Sequence, residues 1–349
     1  LKADAGAAAG ADRKIWTSIY GLDYIGVTED SWNNWNTKNS FEIQGAFEYL
    51  GYEIPDYYTS TTACGEQDEV NGLINFMRGD DFFNYRGDCA KIFQTRDHVM
   101  ADIYHSQLIE VGPPDGNEYY SNTNQEAYWR HVNNYKNFKR SYSDRQRIIY
   151  AGANNGMLHA IDAETGHEEW AFIPPFMTGI LPTVINKNLL GRVDSSAVSK
   201  GGSNAIYGVD GSPIVHDVFM KGLDASGAWE DKPNWHTILM IPFGRGGAGF
   251  SVLDVTDPII ENDAGPMHMF TIFNDKMNSR VLVANNNGFI KEHFYSSASA
   301  GIGDSLEARK AKTKYQDAED TDGGSDSDTT TARDAISACQ SNSSAGVTG

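Results

Sequence analysis

Asp320, Asp322 and Asp326, in the run AEDTDGGSD (318–326), set three carboxylates close together around a Gly-Gly turn. Calcium takes about 6 to 8 oxygen ligands, and a short loop of closely spaced carboxylates is one way a chain supplies them. The same composition also describes an ordinary solvated loop. Two Arg-Gly-Asp tripeptides, Arg78-Gly79-Asp80 and Arg86-Gly87-Asp88, offer a different chemistry. On an exposed loop, such a tripeptide presents a carboxylate to a receptor's metal and a guanidinium to its acidic pocket. Gly-Asp is equally common turn chemistry, and Gly79 follows a helix-like stretch that it would end as a C-cap. Gly244-Arg245-Gly246-Gly247-Ala248-Gly249 has the spacing G-x-G-x-x-G of a pyrophosphate cradle. That cradle needs a helix next, whereas FSVLDV is alternating and β-branched and runs into Asp257-Pro258; a glycine-rich hairpin is predicted, with no nucleotide site. The nine histidines are scattered without metal-ligand spacing. His159 and His216 fall within strand-like alternation, where a structural role is expected. No Ser-His-Asp set or carboxylate pair is placed together by spacing, so no catalytic residue is assigned.

The elements that would position these groups are clearest from Tyr150 to Trp170, YAGANNGMLHAIDAETGHEEW. Ile148, Tyr150 and Gly152 alternate into Asn154-Asn155-Gly156, a hairpin turn signal. Met157, His159 and Ile161 alternate into Thr165-Gly166, and Glu168 to Phe172 resumes extended structure up to Pro174-Pro175. The positions Ala160, Asp162, Thr165, Gly166 and Trp170 have the spacing of the tryptophan-docking motif of quinoprotein-type propeller blades. The spacing has a mechanical reason. Asp162 can accept backbone N–H bonds across its turn, Gly166 can take the left-handed conformation, and the Trp170 indole is left to wedge between blades.

Composition narrows the function classes. The 349 residues are 40% hydrophobic, enough for a sizeable core in about two or three domains. A net charge of -19 would repel a nucleic-acid backbone or an anionic membrane, and favours divalent cations or basic surfaces. No apolar run approaches the roughly 18 residues of a spanning helix. The chain starts at Leu1 and reads as a processed product or a fragment. Cys64, Cys89 and Cys339 fit neither a metal site nor a dense disulfide framework; Cys64 and Cys89 either pair or remain free thiols.

Four segments are expected: 1–12 as a linker or frayed end, 13–145 as a mixed α+β region, 146–297 as propeller blades, and 298–349 as a polar, Asp-rich loop or tail. Within the mixed region, helices are predicted over Phe41 to Tyr52 and Val70 to Met77, and a short strand within Ala101 to Pro114. Strand-turn-strand signals recur at Ile206 to Phe219, His236 to Val255 and Arg280 to Phe294. Asp162 and Asp254 occupy corresponding places in a divergent repeat. The fold class is therefore mainly β, a modified quinoprotein-like β-propeller, incomplete in the strands that can be read and preceded by the mixed region.

Five stretches agree in order with one family: VNGLINFMRGDDFFNYRGD (70–88), ADIYHSQLIEVGPP (101–114), IYAGANNGMLHAIDAETGHEEWAFIPP (149–175), YGVDGSPIVHDVF (207–219) and WHTILMIPFGRGGAGFSVLDVTDP (235–258). Together they resemble the C-terminal domain of the PilY1/PilC family of type IV pilus-associated proteins over roughly residues 13–295. The resemblance implies a modified propeller at the pilus tip or outer cell surface, acting in adhesion and in pilus assembly and retraction. It implies minor pilins as partners, host-cell or abiotic surfaces as targets, and calcium as regulator. Asp320, Asp322 and Asp326 match the last three acidic positions of the family's calcium loop, with Ala318 at the first and Asp317 or Asp328 as substitutes. Two alternatives remain: a pyrroloquinoline quinone (PQQ) oxidoreductase, and a periplasmic propeller scaffold without adhesive role. The absence of adjacent cysteines and the single clear docking motif argue against the quinone, and no PQQ is expected.

Overall fold

The computed structural model describes residues 13–19, 21–22, 29–50, 69–79, 99–121, 123–184, 206–224, 226–260, 265–276 and 278–295. Two sheets dominate. The first runs in the order β1-β5-β4-β3-β2, with β1 Ile15–Trp16, β2 Ile109–Val111, β3 Ile148–Gly152, β4 Leu158–Asp162 and β5 Glu168–Phe172. All its neighbours are antiparallel except β1, which lies parallel to β5 with Ile15 opposite Ala171. The second follows chain order from β6 to β11: β6 Ile214–Met220, β7 Asn234–Pro242, β8 Gly249–Asp254, β9 Met267–Asp275, β10 Arg280–Asn285 and β11 Ile290–Phe294.

The three-strand expectation for 148–172 is met because each turn residue does what its type allows. Gly156 takes φ +80° at the β3–β4 hairpin, and Gly166 takes φ +75° between β4 and β5, a region that non-glycine residues enter only at a cost. The repeat is visible in a feature that alternation does not report. Pairing of β4 with β5 slips between Ala160 and Ile161, and pairing of β8 with β9 slips between Val252 and Leu253. Each slip begins two residues before an aspartate, Asp162 in the first sheet and Asp254 in the second, so the same bulge precedes the same turn. β-Bulges of this kind re-aim the chain at a sheet margin.

Helices cover this framework. In α1, Ser40–Tyr49, the residues Ile43, Ala46 and Phe47 are buried; in α2, Glu69–Arg78, so are Val70, Leu73, Ile74 and Met77, the helical spacing anticipated from sequence. These side chains join one core with Trp16, Tyr150, Leu158, Trp170 and Phe172 of the first sheet and Leu239, Ile241, Phe243 and Leu253 of the second.

β2 is the short strand expected within Ala101 to Pro114, and with β1 it joins the first sheet. Two features differ from the sequence expectations. Two helices, α3 Gln125–Val132 and α4 Tyr135–Ser141, stand where no element was anticipated. α3 buries only Ala127 and is fixed instead by its cap, since Asn124 Oδ1 accepts the Ala127 N–H at 3.0 Å. The pair of strands expected over Ile206 to Phe219 is a single strand, β6, preceded by a loop. In that loop Val209 N–H goes to Ala153 O and Asp210 N–H to Phe243 O, so its backbone bonds reach two different hairpin turns and form no ladder. Cys64, Cys89, Cys339 and the run 298–349 lie outside the described residues.

Candidate functional site

The site begins at the end of β4. Asp162 Oδ1 accepts the N–H groups of Glu164, at 2.9 Å, and Thr165, while Oδ2 accepts from Gln146. The Asp162 carbonyl receives Gly166 N–H at 2.9 Å, closing the turn that the left-handed Gly166 permits. The Thr165 N–H, ahead of the other donors, holds the Asp162 carboxyl below the usual carboxylate range. With the turn fixed, β5 starts in a defined register, and Trp170 points into the core.

Trp170 is 1% exposed. Its ring lies 5.8 Å from both Trp16 and Tyr150, and its Nε1–H donates to Pro258 O at 2.8 Å. Pro258 belongs to the loop after β8, four residues beyond Asp254, so the indole of one sheet is bonded to the turn of the next. A second tryptophan repeats the move: Trp32 Nε1–H donates to Pro266 O at 2.8 Å, at the other end of the same loop. A buried indole N–H without an acceptor would carry a desolvation cost of about 1–3 kcal/mol, which makes these two carbonyls a specific seat.

The corresponding aspartate, Asp254, accepts Thr256 N–H at 3.0 Å and Thr256 Oγ1–H at 2.6 Å through Oδ1. Its Oδ2 meets His236 Nδ1 at 2.7 Å, and His236 Nε2 meets Glu230 Oε2 at 3.0 Å. Only an imidazolium donates from both nitrogens. Burial pushes the His236 pKa down, but Asp254 and Glu230 outweigh it and the net shift is upward.

Arg13, His159 and Glu168 form a third interior group. Arg13 Nε and Nη2 bind the two Glu168 oxygens at 2.7 and 2.8 Å, and His159 Nδ1 meets Glu168 Oε1 at 2.8 Å. Burial raises the Glu168 pKa, and Arg13 with His159 reverses the shift and holds it well below the usual range. His159 is thus a structural histidine, and it ties β4 to β5 and to the N-terminal segment. His216 sits at an exposed edge, 3.1 Å from Glu126 Oε1.

The first Arg-Gly-Asp meets the interior through its arginine. Arg78 is 6% exposed and donates to Asn33 Oδ1, Trp35 O and Arg13 O. Gly79 takes φ +116° and sends its N–H to Asn75 O and Phe76 O, which makes it the C-cap of α2. Asp80 and the second tripeptide, Arg86-Gly87-Asp88, lie outside the described residues, as do Asp320, Asp322 and Asp326. Among the described residues, no group of three or more His, Cys, Asp or Glu side chains could hold a metal ion. The Gly244–Gly249 run forms a short 3₁₀ turn and then β8, in place of the helix that a pyrophosphate site requires.

The structure thus brings Asp162, Gly166 and Trp170 together as a docking device between sheets, with Ala160 beside them at the bulge. Sequence reading missed Trp32, Arg13 and the Glu230–His236–Asp254 chain. The available signal was Trp32 among polar residues, and acidic residues flanking His236 at six and eighteen positions, which spacing alone does not join.

Residues 100–308 match the family model described as the PilY1 β-propeller domain. A type IV pilus biogenesis factor PilY1 homolog of Xylella fastidiosa is 33% identical over 186 residues, 53% of this chain and 13% of that protein. The type IV pilus biogenesis factor PilY1 of Pseudomonas aeruginosa is 30% identical over 249 residues, 71% of this chain and 17% of that protein. The chain therefore spans less than a fifth of the length of these relatives. The crystal structure of the Pseudomonas aeruginosa PilY1 C-terminal domain aligns at 21% identity with a TM-score of 0.27, covering 55% of this chain and 38% of that one. Among the described residues, no helix is long and apolar enough to cross a membrane.

Proposed function

The chain belongs to the PilY1 β-propeller family, and from that premise we propose that it is the propeller portion of a type IV pilus biogenesis factor. It works there by docking other proteins and performs no catalysis. The observation that carries this reading is the family match over residues 100–308, which spans β2 to β11 and includes the Asp162–Trp170 docking turn. The buried polar groups fit it as well. Asp162, Glu168, His159, His236 and Asp254 are all committed to turns and inter-strand ties, which supports a rigid scaffold.

The finer reading places the protein at the pilus tip or outer cell surface, in contact with minor pilins and acting in adhesion to host-cell or abiotic surfaces. Calcium bound through Asp320, Asp322 and Asp326 would regulate it, and no quinone cofactor takes part. In a piliated strain lacking the gene, complementation with the wild-type chain in its full-length context should restore sheared surface pili and co-purification of the protein with them. Trp170→Ala, which unseats the sheet-to-sheet bond, should restore neither. Normal surface piliation in the uncomplemented deletion strain would overturn the biogenesis role. Recovery of the protein in the periplasm, with none in sheared filaments, would overturn the tip location and favour a periplasmic scaffold. For calcium, isothermal titration of the wild-type protein should show a site that Asp320→Ala/Asp322→Ala removes; identical titrations would remove the calcium claim.

A further inference from the structure

One surface cluster gathers side chains that the docking turns leave unused. Tyr104, His105, Tyr207 and Arg245 come from three separate loops and all are exposed, Tyr104 by 64% and Tyr207 by 41%. The His105 ring lies 4.3 Å from Tyr104, edge to face, and 6.3 Å from Tyr207. The Arg245 guanidinium stands 5.4 Å over the Tyr207 ring and donates through Nη1 to its hydroxyl at 3.1 Å.

Behind the cluster is a buried carboxylate. Asp210, 2% exposed, accepts the His105 backbone N–H through Oδ1 at 3.2 Å and meets His105 Nδ1 through Oδ2 at 2.7 Å. In the neutral imidazole, a carboxylate on Nδ1 selects the tautomer that carries its proton there, and leaves Nε2 as a hydrogen-bond acceptor. Among the described residues Nε2 has no partner.

The loops are held rigidly. A Cβ on Gly246 would fall inside the contact shell of Gly208 O, and one on Gly208 would do the same at Gly156 N, so the three backbones pack directly on one another. Gly208 N–H, Val209 N–H and Asp210 N–H bond in turn to Asn154 Oδ1, Ala153 O and Phe243 O. A site assembled before its ligand arrives avoids the ordering cost of binding.

Charge sets the ligand class. Arg13, Arg130, Arg147 and Arg280 are each paired with a carboxylate, whereas Arg245, like Arg140 and Arg145, makes no direct ion pair among the described residues. What sets Arg245 apart is its place: exposed, stacked on Tyr207, and in the field of the buried Asp210 carboxylate behind the cluster, its guanidinium is a local seat for a single anion in a chain of net charge -19. A polyanion would extend beyond the Debye length of about 8 Å and meet the negative remainder of the surface.

We propose that Tyr104, His105, Tyr207 and Arg245 bind a peptide segment of a partner protein that carries one carboxylate beside an aromatic or aliphatic side chain. Arg245 takes the carboxylate, the two tyrosines take the apolar side chain, and His105 Nε2 accepts a peptide N–H. Asp210 is a positioning residue. The site does not depend on the pilus reading.

The test is a titration of the nitrogen-labelled protein, followed by NMR, with N-acetyl-Phe-Glu-Phe-amide and with its Gln counterpart. The Glu peptide should shift the Arg245 Nε–H and His105 ring signals, and its affinity should fall about fivefold to tenfold in Arg245→Gln or on changing Glu to Gln. Tyr207→Ala should weaken both peptides. Asp210→Asn should move the His105 ring nitrogens toward a mixture of tautomers before any peptide is added, a signature that mere loss of packing would not give. Arg245 and Tyr207 are exposed, so their variants are expected to keep the wild-type amide spectrum. Equal affinity for the two peptides, no shift at Arg245, or shifts produced by D-glucuronate and by neither peptide would each overturn the proposal.

Discussion

Asp162 and His236 hold their turns by opposite charges, and their pH dependences run in opposite directions. The Asp162 pKa is depressed, chiefly by the Thr165 N–H. Its stabilisation is therefore present above the unfolded carboxyl value, about 3.9, and is lost as pH falls through the folded value. Asp162→Ala should be less stable than wild type by about 1–2 kcal/mol at pH 7, as for loss of a turn-capping side chain, with the gap narrowing as pH falls below the unfolded value in urea titrations. The His236 pKa is raised because Asp254 and Glu230 together outweigh burial. Its contribution is complete below the unfolded value of about 6.5 and disappears as pH rises through the folded value. His236→Gln should thus lose most at about pH 5–6.5 and approach wild type at higher pH, measured in the same way. Gly166→Ala meets φ +75° and should cost about 1 kcal/mol by chemical denaturation, since the left-handed region disfavours a Cβ.

Among the elements, the β3–β4–β5 unit and α2 were legible because their apolar positions match the periods of strand and helix and their ends carry Asn, Gly and Pro. α3 was not, because it buries only Ala127 and exposes Tyr128, Trp129 and Val132, which erases the stripe that periodicity detects, and α4 was not, because its buried pair Tyr135 and Phe138 spans a single turn of a seven-residue helix, too short for a period to register. The loop 206–213 misled for the opposite reason. Ile206 and Val209 look like strand residues, but Gly208 packs against the backbone of Gly156 and Gly246, and a ladder there has no room. Gly246→Ala should accordingly push the loops apart at a cost of about 1–3 kcal/mol, the range for overpacking, and lower the melting temperature. In α2, Leu73→Ala removes a fully buried side chain and should cost about 2–5 kcal/mol in the same measurement.

At the scale of the molecule, the two sheets are joined by a shared core and by the Trp170 indole seated on Pro258 O, while the Trp32 indole of the N-terminal segment is seated on Pro266 O of the same loop. Trp170→Phe keeps most of the ring's apolar area but strands the Pro258 carbonyl. It should lower stability by about 1–3 kcal/mol with the unfolding transition still cooperative, whereas Trp170→Ala should cost about 3–5 kcal/mol. The amino-acid sequence by itself determined the mainly β class, the Asp162–Trp170 turn geometry, the helical face of α2 and the hairpin nature of Gly244–Gly249. Each of these is fixed by residues within one or two turns of one another, where backbone sterics and side-chain period act locally. Tertiary structure alone decided that Trp170 bonds to Pro258, that Arg78 turns inward to Asn33, Trp35 and Arg13, and that His105 and His236 find Asp210 and Asp254 as partners. Buried polar atoms take whichever partner the packing of distant segments brings within reach, and sequence spacing does not encode that distance.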